Sequence, residues 1–277
     1  MIVTQTQLFS AQEPRAEAPK GALPKLRVIY EPRGRAREYA PLALNIAQGC
    51  NHGCTYCYAP LIMKKRRELY GENVAPRNIM RPLEQDCQAL QGRHDVGPVL
   101  LCFTCDPYQP VPSVLGATHQ ALALLHRYEV PFQILTKGGS RARQDFDLYG
   151  PHDALAATLT FVDEAKSLHW EPGAATPQNR FRTLQDAHEM GITTWASLEP
   201  VIEPEEALEI IRTTSEYVDL YKVGPLNHHK AARGVDWQKF GHDVVTLLDS
   251  LGCRYYLKND MVSKMAAEDL HGKGRKA

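Results

Sequence analysis

The chain has 277 residues, 43% of them hydrophobic, and its 32 Lys and Arg are balanced by 32 Asp and Glu. That length suits one large α/β domain with a sizeable core. The balanced charge argues against a surface that binds polyanions over the whole molecule, and leaves room for a local basic patch.

Residues 1–25, rich in Ala, Pro, Glu and Lys with no apolar period, read as a flexible arm. Residues 1–10 lack the basic and apolar regions of a signal peptide. No apolar run approaches the roughly 20 residues that span a bilayer. The expected location is therefore the cytoplasm, with no membrane partner. There the seven cysteines stay reduced and serve as metal ligands or core residues. From 26 to 271 short apolar runs alternate with amphipathic stretches. Strands are predicted at 42–47, 99–104, 132–136, 155–160, 193–198, 218–223 and 254–257. Helices are predicted at 113–128, 179–190, 205–214 and 237–251, with Pro204 near a helix start and Gly191 just past a helix end. Residues 272–277 form a basic tail.

Strand–helix alternation gives a parallel sheet, either doubly wound or curled into a full or partial barrel. Polar residues follow nearly every predicted strand. The first runs into a cysteine loop and the second into Thr104, Cys105 and Asp106. Lys137, then Thr158 and Thr160, then Glu199, Asn227, and finally Lys258, Asn259 and Asp260 mark the others. A barrel brings all such ends to one mouth, whereas a doubly wound sheet uses one switch point. The expected architecture is an incomplete barrel.

The loop Gly49-Cys50-Asn51-His52-Gly53-Cys54-Thr55-Tyr56-Cys57-Tyr58 holds three thiols at C-x3-C-x2-C spacing. Such a loop can wrap three thiolates around three corners of a [4Fe–4S] cubane. The fourth iron then stays open, as a catalytic metal centre requires. Gly49 and Gly53 permit turns that a Cβ would hinder. The alternative is structural zinc, which takes four ligands and would draw on His52 or His94. Cys87, in a helical pattern, and Cys253, beside a strand, read as packing residues.

The cysteine motif at the end of the first strand, with the aromatic Tyr56 before its third Cys, resembles the radical S-adenosylmethionine (SAM) superfamily. The segments NIAQGCNHGCTYCYAP (45–60), TCDPYQP (104–110), Thr136-Lys137, Glu171-Pro172 followed by Arg180, and 197–204 form an ordered series. That series is similar to the spore photoproduct lyase-like branch, over roughly residues 35–230. The resemblance implies a partial (β/α)6 TIM-type barrel with a short N-terminal arm and a C-terminal extension. It implies a [4Fe–4S] cluster on Cys50, Cys54 and Cys57, SAM chelated at the free iron, and an electron donor such as flavodoxin or ferredoxin. Reductive cleavage of SAM would give methionine and a 5′-deoxyadenosyl radical that abstracts hydrogen from substrate.

Around SAM, the resemblance places Lys137 at the carboxylate and Thr158 as a hydroxyl contact. Thr104, Cys105 and Asp106 lie where the superfamily recognises the amino group, although Asp106 can equally cap the turn before Pro107. Glu171 and Arg180 are expected as a buried pair shaping the adenosine pocket. Tyr56 is expected near adenine, Tyr58 flanks the third ligand, and Thr160 and Glu199 complete the cofactor-binding candidates.

The resemblance points to a nucleic-acid base as substrate, more in keeping with a DNA thymine derivative than a purine. Basic runs at 33–37 and 64–67, and the group His228, His229, Lys230 and Arg233, could hold phosphates. Two other classes remain: a radical SAM enzyme acting on a peptide or small metabolite, and a non-enzymatic iron–sulfur redox sensor. The lyase uses a second-strand cysteine as hydrogen donor, and the matching position here is Phe103. Cys102 and Cys105 are nearby candidates for that role. The strand parity of Cys102 points it away from the mouth.

Overall fold

The computed structural model describes residues 22–93, 95–227 and 229–266. Residues 1–21 of the expected arm, His94, His228 and the 272–277 tail lie outside them. Strand β1 (Leu42–Leu44) leads into the cysteine loop, where a two-residue strand β2 (Ala47–Gln48) pairs antiparallel with β3 (Ala75–Pro76). Helices α1 (Ala59–Ile62) and α2 (Met80–Leu90) lead to β4 (Val99–Leu101). Then come α3 (Pro112–Arg127), β5 (Phe132–Thr136), a 3-10 helix over Gly139–Leu148, and β6 (Ala154–Thr158). Helices α4 (Glu164–Trp170) and α5 (Pro177–Glu189) precede β7 (Thr193–Val201), and α6 (Pro204–Thr214) precedes β8 (Leu220–Pro225). A 3-10 turn over Lys230–Gly234, α7 (Trp237–Ser250), β9 (Tyr255–Leu257) and α8 (Asn259–Ala266) complete the described chain.

Seven strands form one sheet in the order β1-β4-β5-β6-β7-β8-β9, every neighbouring pair parallel. Each crossover returns to the adjacent strand without reversing direction along the sheet. That is the topology of a barrel wall, not of a doubly wound sheet with a switch point. Alternation within the strands separates two apolar groups. Leu100, Ala154, Ala156, Trp195 and Leu220 cluster with Tyr39 and Phe103, while Leu101, Leu155 and Ala157 join the larger cluster that includes the helices. Helix starts agree with their sequence. Asp163, Thr176 and Asp236 each accept a hydrogen bond from the third residue onward, and Pro177 opens α5 two residues before the predicted start.

Two predicted strands are shorter than expected for one reason. The side chain of Asn45 accepts from Phe103 N at 2.9 Å and Thr104 N at 3.0 Å. It takes the backbone donors that a continued β1–β4 ladder would need, so β1 stops at Leu44 and β4 at Leu101.

The sheet is open between its edges, β1 and β9, and residues 30–40 run across the gap. Tyr30 and Ala43 exchange two antiparallel backbone bonds of 3.0 and 2.8 Å on the β1 side. On the β9 side, Glu38 accepts from Tyr256 Oη at 3.0 Å and Asn259 N at 2.8 Å, and Arg35 meets Asp260 at 2.8 Å. Pairing an edge in this way removes a template for aggregation.

Inside the wall, Lys222 is 1% exposed. Its ammonium donates to Tyr39 O at 2.9 Å and lies 4.5 Å from the Trp195 ring. Burial, and after it the charge of Lys258, pulls Lys222 down to about 7. A lysine with a depressed folded pKa binds fewer protons than the unfolded chain between that value and about 10.4. Its contribution to stability therefore rises with pH across this window and is least favourable below about 7. We expect urea midpoints of Lys222→Met to rise less than those of the wild type between pH 7 and 10. Parallel curves would show that Lys222 is not a buried charge.

Candidate cofactor site

The cysteine loop is pinned from four sides. Gln109 accepts from Asn51 N at 2.9 Å and donates to Gly49 O at 3.3 Å. Arg67 donates to the carbonyls of Cys54 and Cys57 at 3.0 and 2.7 Å. Thr55 N donates to Trp170 O at 2.9 Å, and Gly173 N to His52 O at 2.8 Å. Two glycines are required by this packing. Gly49 has φ +75°, and a Cβ there would stand 2.7 Å from Tyr70 O. A Cβ on Gly173 would stand 2.5 Å from Asn51 O.

All three loop cysteines are free thiols, Cys54 buried and Cys50 and Cys57 half-buried. Burial pushes Cys54 up to about 12, with neighbouring charges, Cys57 among them, as smaller causes. Burial likewise pushes Cys50 up, followed by Asp106 and, further down, Cys54 and Cys105. Without a metal such thiols stay protonated, and coordination is what would draw off the protons.

The chain contains a second C-x-x-C pair, Cys102 and Cys105. Cys102 is buried against the apolar cluster that includes Ile46 and Tyr108. Cys105 is half-buried near Cys50. Among the described residues, no three His, Cys, Asp or Glu side chains converge as the ligands of a single ion would. A cubane makes no such demand, because each thiolate binds a different iron.

On the side facing β5 and β6, Tyr56 Oη donates to Glu171, and Glu171 pairs with Arg180 at 2.6 Å with both side chains at most 1% exposed. Arg180 also donates to Thr158 O at 2.8 Å and Ser167 Oγ at 2.9 Å. Burial pushes Glu171 up, but Arg180 and then Lys137 outweigh it and hold the carboxyl below its ordinary range. The ammonium of Lys137 has no hydrogen-bond acceptor among the described residues and stands 5.6 Å from the Tyr56 ring. Burial works against its charge, but Cys54, Glu171 and Asp106 together leave its pKa raised.

Two expected cofactor contacts are otherwise engaged. Asp106 Oδ1 accepts from Tyr108 N at 2.8 Å and Thr136 Oγ1 at 2.6 Å, and Oδ2 accepts from Lys137 N at 2.7 Å. Its carboxylate ties β4 to β5 and caps the turn. Glu199 accepts from Tyr39 Oη and lies 3.5 Å from Lys258. It serves the seal of the sheet opening, because residues 34–39 reach across to β7 and β9. The basic run at 33–37 is also partly spent there, Arg35 on Asp260 and Arg37 on Glu31.

Of the remaining candidates, Thr104 N donates to Asn45 and its carbonyl accepts from Tyr70 Oη. Tyr58 donates to Phe103 O at 2.9 Å while half of its surface is exposed. Thr158 and Thr160 are buried at the end of β6, and Thr160 Oγ1 has no partner. Cys87 and Cys253 are buried away from the loop in the apolar core.

Three further polar atoms lie in the cysteine loop or beside Asp106, and of their residues the sequence singles out only His52. His52 Nε2, Asn51 Oδ1 and Arg141 Nη2 are buried with no partner. His52 sits 3.5 Å from Asp106 through Nδ1, and burial outweighs that carboxylate to lower its pKa, so the ring is neutral. Arg141 is held by a 2.6 Å bond from Nε to Tyr108 O. An orphaned buried polar atom costs stability unless something else binds it. Two of them in the loop that carries three free thiols, and a third beside Asp106, fit a site built for a polar cofactor and a thiolate-bound metal centre. Asn51 and His52 lie within the cysteine motif and Gln109 within TCDPYQP, whereas Arg141 stands in no motif.

No family model matches the chain. A 190-residue stretch is 25% identical to the uncharacterized protein ORF301 of Acidianus two-tailed virus, covering 64% of this chain and 61% of that one. The chain thus spans about three fifths of that relative's length. Spore photoproduct lyase with bound AdoMet and dinucleoside spore photoproduct superposes with TM-score 0.63 at 11% identity, over 79% of this chain and 76% of the lyase. Streptococcus suis SuiB bound to S-adenosylmethionine gives 0.61 at 10%, over 82% and 52%. Among the described residues, no helix is long and apolar enough to cross a membrane. Strand order and barrel wall together give this chain the partial-barrel fold of spore photoproduct lyase and SuiB.

Proposed function

We propose that the chain is a radical SAM enzyme acting on a nucleic-acid base, with a DNA thymine derivative as the favoured substrate. The observation that carries this reading is the C-x3-C-x2-C loop, pinned by Gln109 and Arg67, next to the unpaired ammonium of Lys137 and the buried Glu171–Arg180 pair. Cys50, Cys54 and Cys57 would hold the [4Fe–4S] cluster, and Lys137 would neutralise the SAM carboxylate. The cluster and SAM would supply one-electron cleavage of a sulfonium, yielding methionine and a 5′-deoxyadenosyl radical, with flavodoxin or ferredoxin as electron donor. Tyr56, fixed by Glu171, would wall the adenosine side. The orphaned groups of His52, Asn51 and Arg141 would orient the polar parts of the cofactor.

Support for a base comes from the lyase, whose structure holds a dinucleoside, and from Lys64 and Lys65, which follow the cysteine loop and meet no carboxylate among the described residues. SuiB, bound to a precursor peptide in another structure, supports the peptide alternative through the same fold. The deciding experiment is anaerobic incubation with SAM, a reductant and deuterated substrates, followed by mass spectrometry of 5′-deoxyadenosine. Deuterium arriving from a thymine methyl group supports the reading; transfer from a peptide alone replaces it. In the same assay Lys137→Ala should weaken SAM binding roughly tenfold to a hundredfold, the equivalent of about 1.5–3 kcal/mol for a lost charge-assisted contact. Unchanged SAM affinity by calorimetry would remove Lys137 from that role.

A further inference from the structure

Beside the cysteine loop lies a cavity of about 510 Å³, lined by Thr55, His169, Trp170, His229, Lys230 and Arg233 among others. Thr55 stands between Cys54 and Cys57 and donates through its backbone to Trp170, the residue before Glu171. The Trp170 ring stacks 6.5 Å from Phe161 and meets the His229 ring edge-on at 5.1 Å. Lys230 and Arg233 are exposed, and neither meets a carboxylate or a hydrogen-bond acceptor among the described residues. Lys64 and Lys65 share that state, whereas Arg35, Arg37, Arg93, Arg143, Lys166 and Arg212 are each paired with an acid. His229 Nδ1 accepts from Ala231 N at 3.2 Å, so a neutral ring carries its proton on Nε2 as a further donor.

We propose that this cavity is a nucleotide subsite, taking a phosphate of single-stranded nucleic acid on Lys230, Arg233 and His229 and a base against Trp170. The inference deepens the proposed function and rests on it for the class of substrate. Two unpaired cations and an imidazole donor suit the two non-bridging oxygens of a phosphodiester, each of which accepts more than one hydrogen bond, and an indole offers any base a stacking surface. The volume is that of an ordinary small-ligand pocket and accommodates one nucleotide.

The test uses the full chain, reconstituted anaerobically, and fluorescence anisotropy of a labelled 12-residue oligothymidylate. Lys230→Glu/Arg233→Glu should weaken binding at least tenfold and reduce the slope of log affinity against log salt by about 0.7, the value for one phosphate contact on a single strand. Arg127→Glu/Arg212→Glu makes the same charge change on the outer helices and should alter affinity less than twofold. Thymidine monophosphate should compete for the site far better than thymidine. If both double variants weaken binding equally, the cavity is not the subsite, while the nucleic-acid reading stands. If the wild type binds neither the oligonucleotide nor the monophosphate, the subsite and the substrate reading fall together.

Discussion

Alanine at Cys50, Cys54 or Cys57 is expected to reduce the iron retained after anaerobic reconstitution from about four atoms per chain to a small residue. Reductive SAM cleavage should disappear with it. The three thiols share one loop, and removing any one leaves a cubane with two protein ligands and two open irons. Cys87→Ala and Cys253→Ala should keep the iron, because both thiols are buried in the apolar core away from the loop. Cys105→Ala is the sharper control. Cys102 and Cys105 form the second C-x-x-C pair, and Cys105 is near Cys50, so a zinc site would draw on it. Full iron content with charge-transfer absorption in Cys105→Ala supports the three-cysteine cluster. Stoichiometric zinc, lost in that variant, would overturn it. If Cys105 donates hydrogen to a product radical, its loss should divert products to trapped adducts while deuterium transfer to 5′-deoxyadenosine persists.

The second large effect is on stability. Arg180→Met should cost about 3–5 kcal/mol, because it strands the Glu171 carboxylate in a site where both partners are at most 1% exposed. Glu171→Leu/Arg180→Met should cost less than the single change, since it removes both charges. The pH dependence follows from Glu171, whose pKa is raised by burial but lowered overall by Arg180 and Lys137. A carboxyl depressed in the folded state binds fewer protons there than when unfolded. Its contribution is therefore complete above the unfolded value of about 4.3 and is lost as pH falls through the folded one. Urea midpoints at pH 7 and in acid should converge for wild type and Arg180→Met as the carboxylate is protonated. An Arg180→Met protein as stable as the wild type at pH 7 would show that the pair carries no net stabilisation. The unbonded Arg180 Nε already indicates that the guanidinium is not fully satisfied.

How much was legible beforehand differs between wall and site. All seven predicted strands occur, and the helices at 113–128, 179–190, 205–214 and 237–251 fall within a few residues of their observed limits. Apolar periodicity reports which face a residue buries, and parallel strands between helices are the case in which that signal is strongest. The end of β1 was not legible, because it depends on where the Asn45 amide finds its partners, 58 and 59 residues later. The same is true of Glu199. As a polar residue near a strand end it reads as a mouth residue, yet its partners are Tyr39 and Lys258, brought to it by a segment that crosses the gap between the sheet edges.

Sequence alone determined the cysteine loop, the strand–helix alternation and the candidate Glu171–Arg180 pair. Each is written in local spacing or in residue types whose chemistry is narrow. Tertiary structure decided which polar side chains remain free to meet a ligand. Asp106 and Glu199 are engaged by internal partners, whereas the Lys137 ammonium, His52 Nε2 and Arg141 Nη2 are not. It also decided that Lys230 and Arg233 are unpaired beside Trp170 while Arg35 and Arg37 are neutralised. The reason is that hydrogen bonds and ion pairs between distant segments form only when the fold brings the groups within about 3 Å. A sequence states which groups exist, and only packing states which of them have already been satisfied.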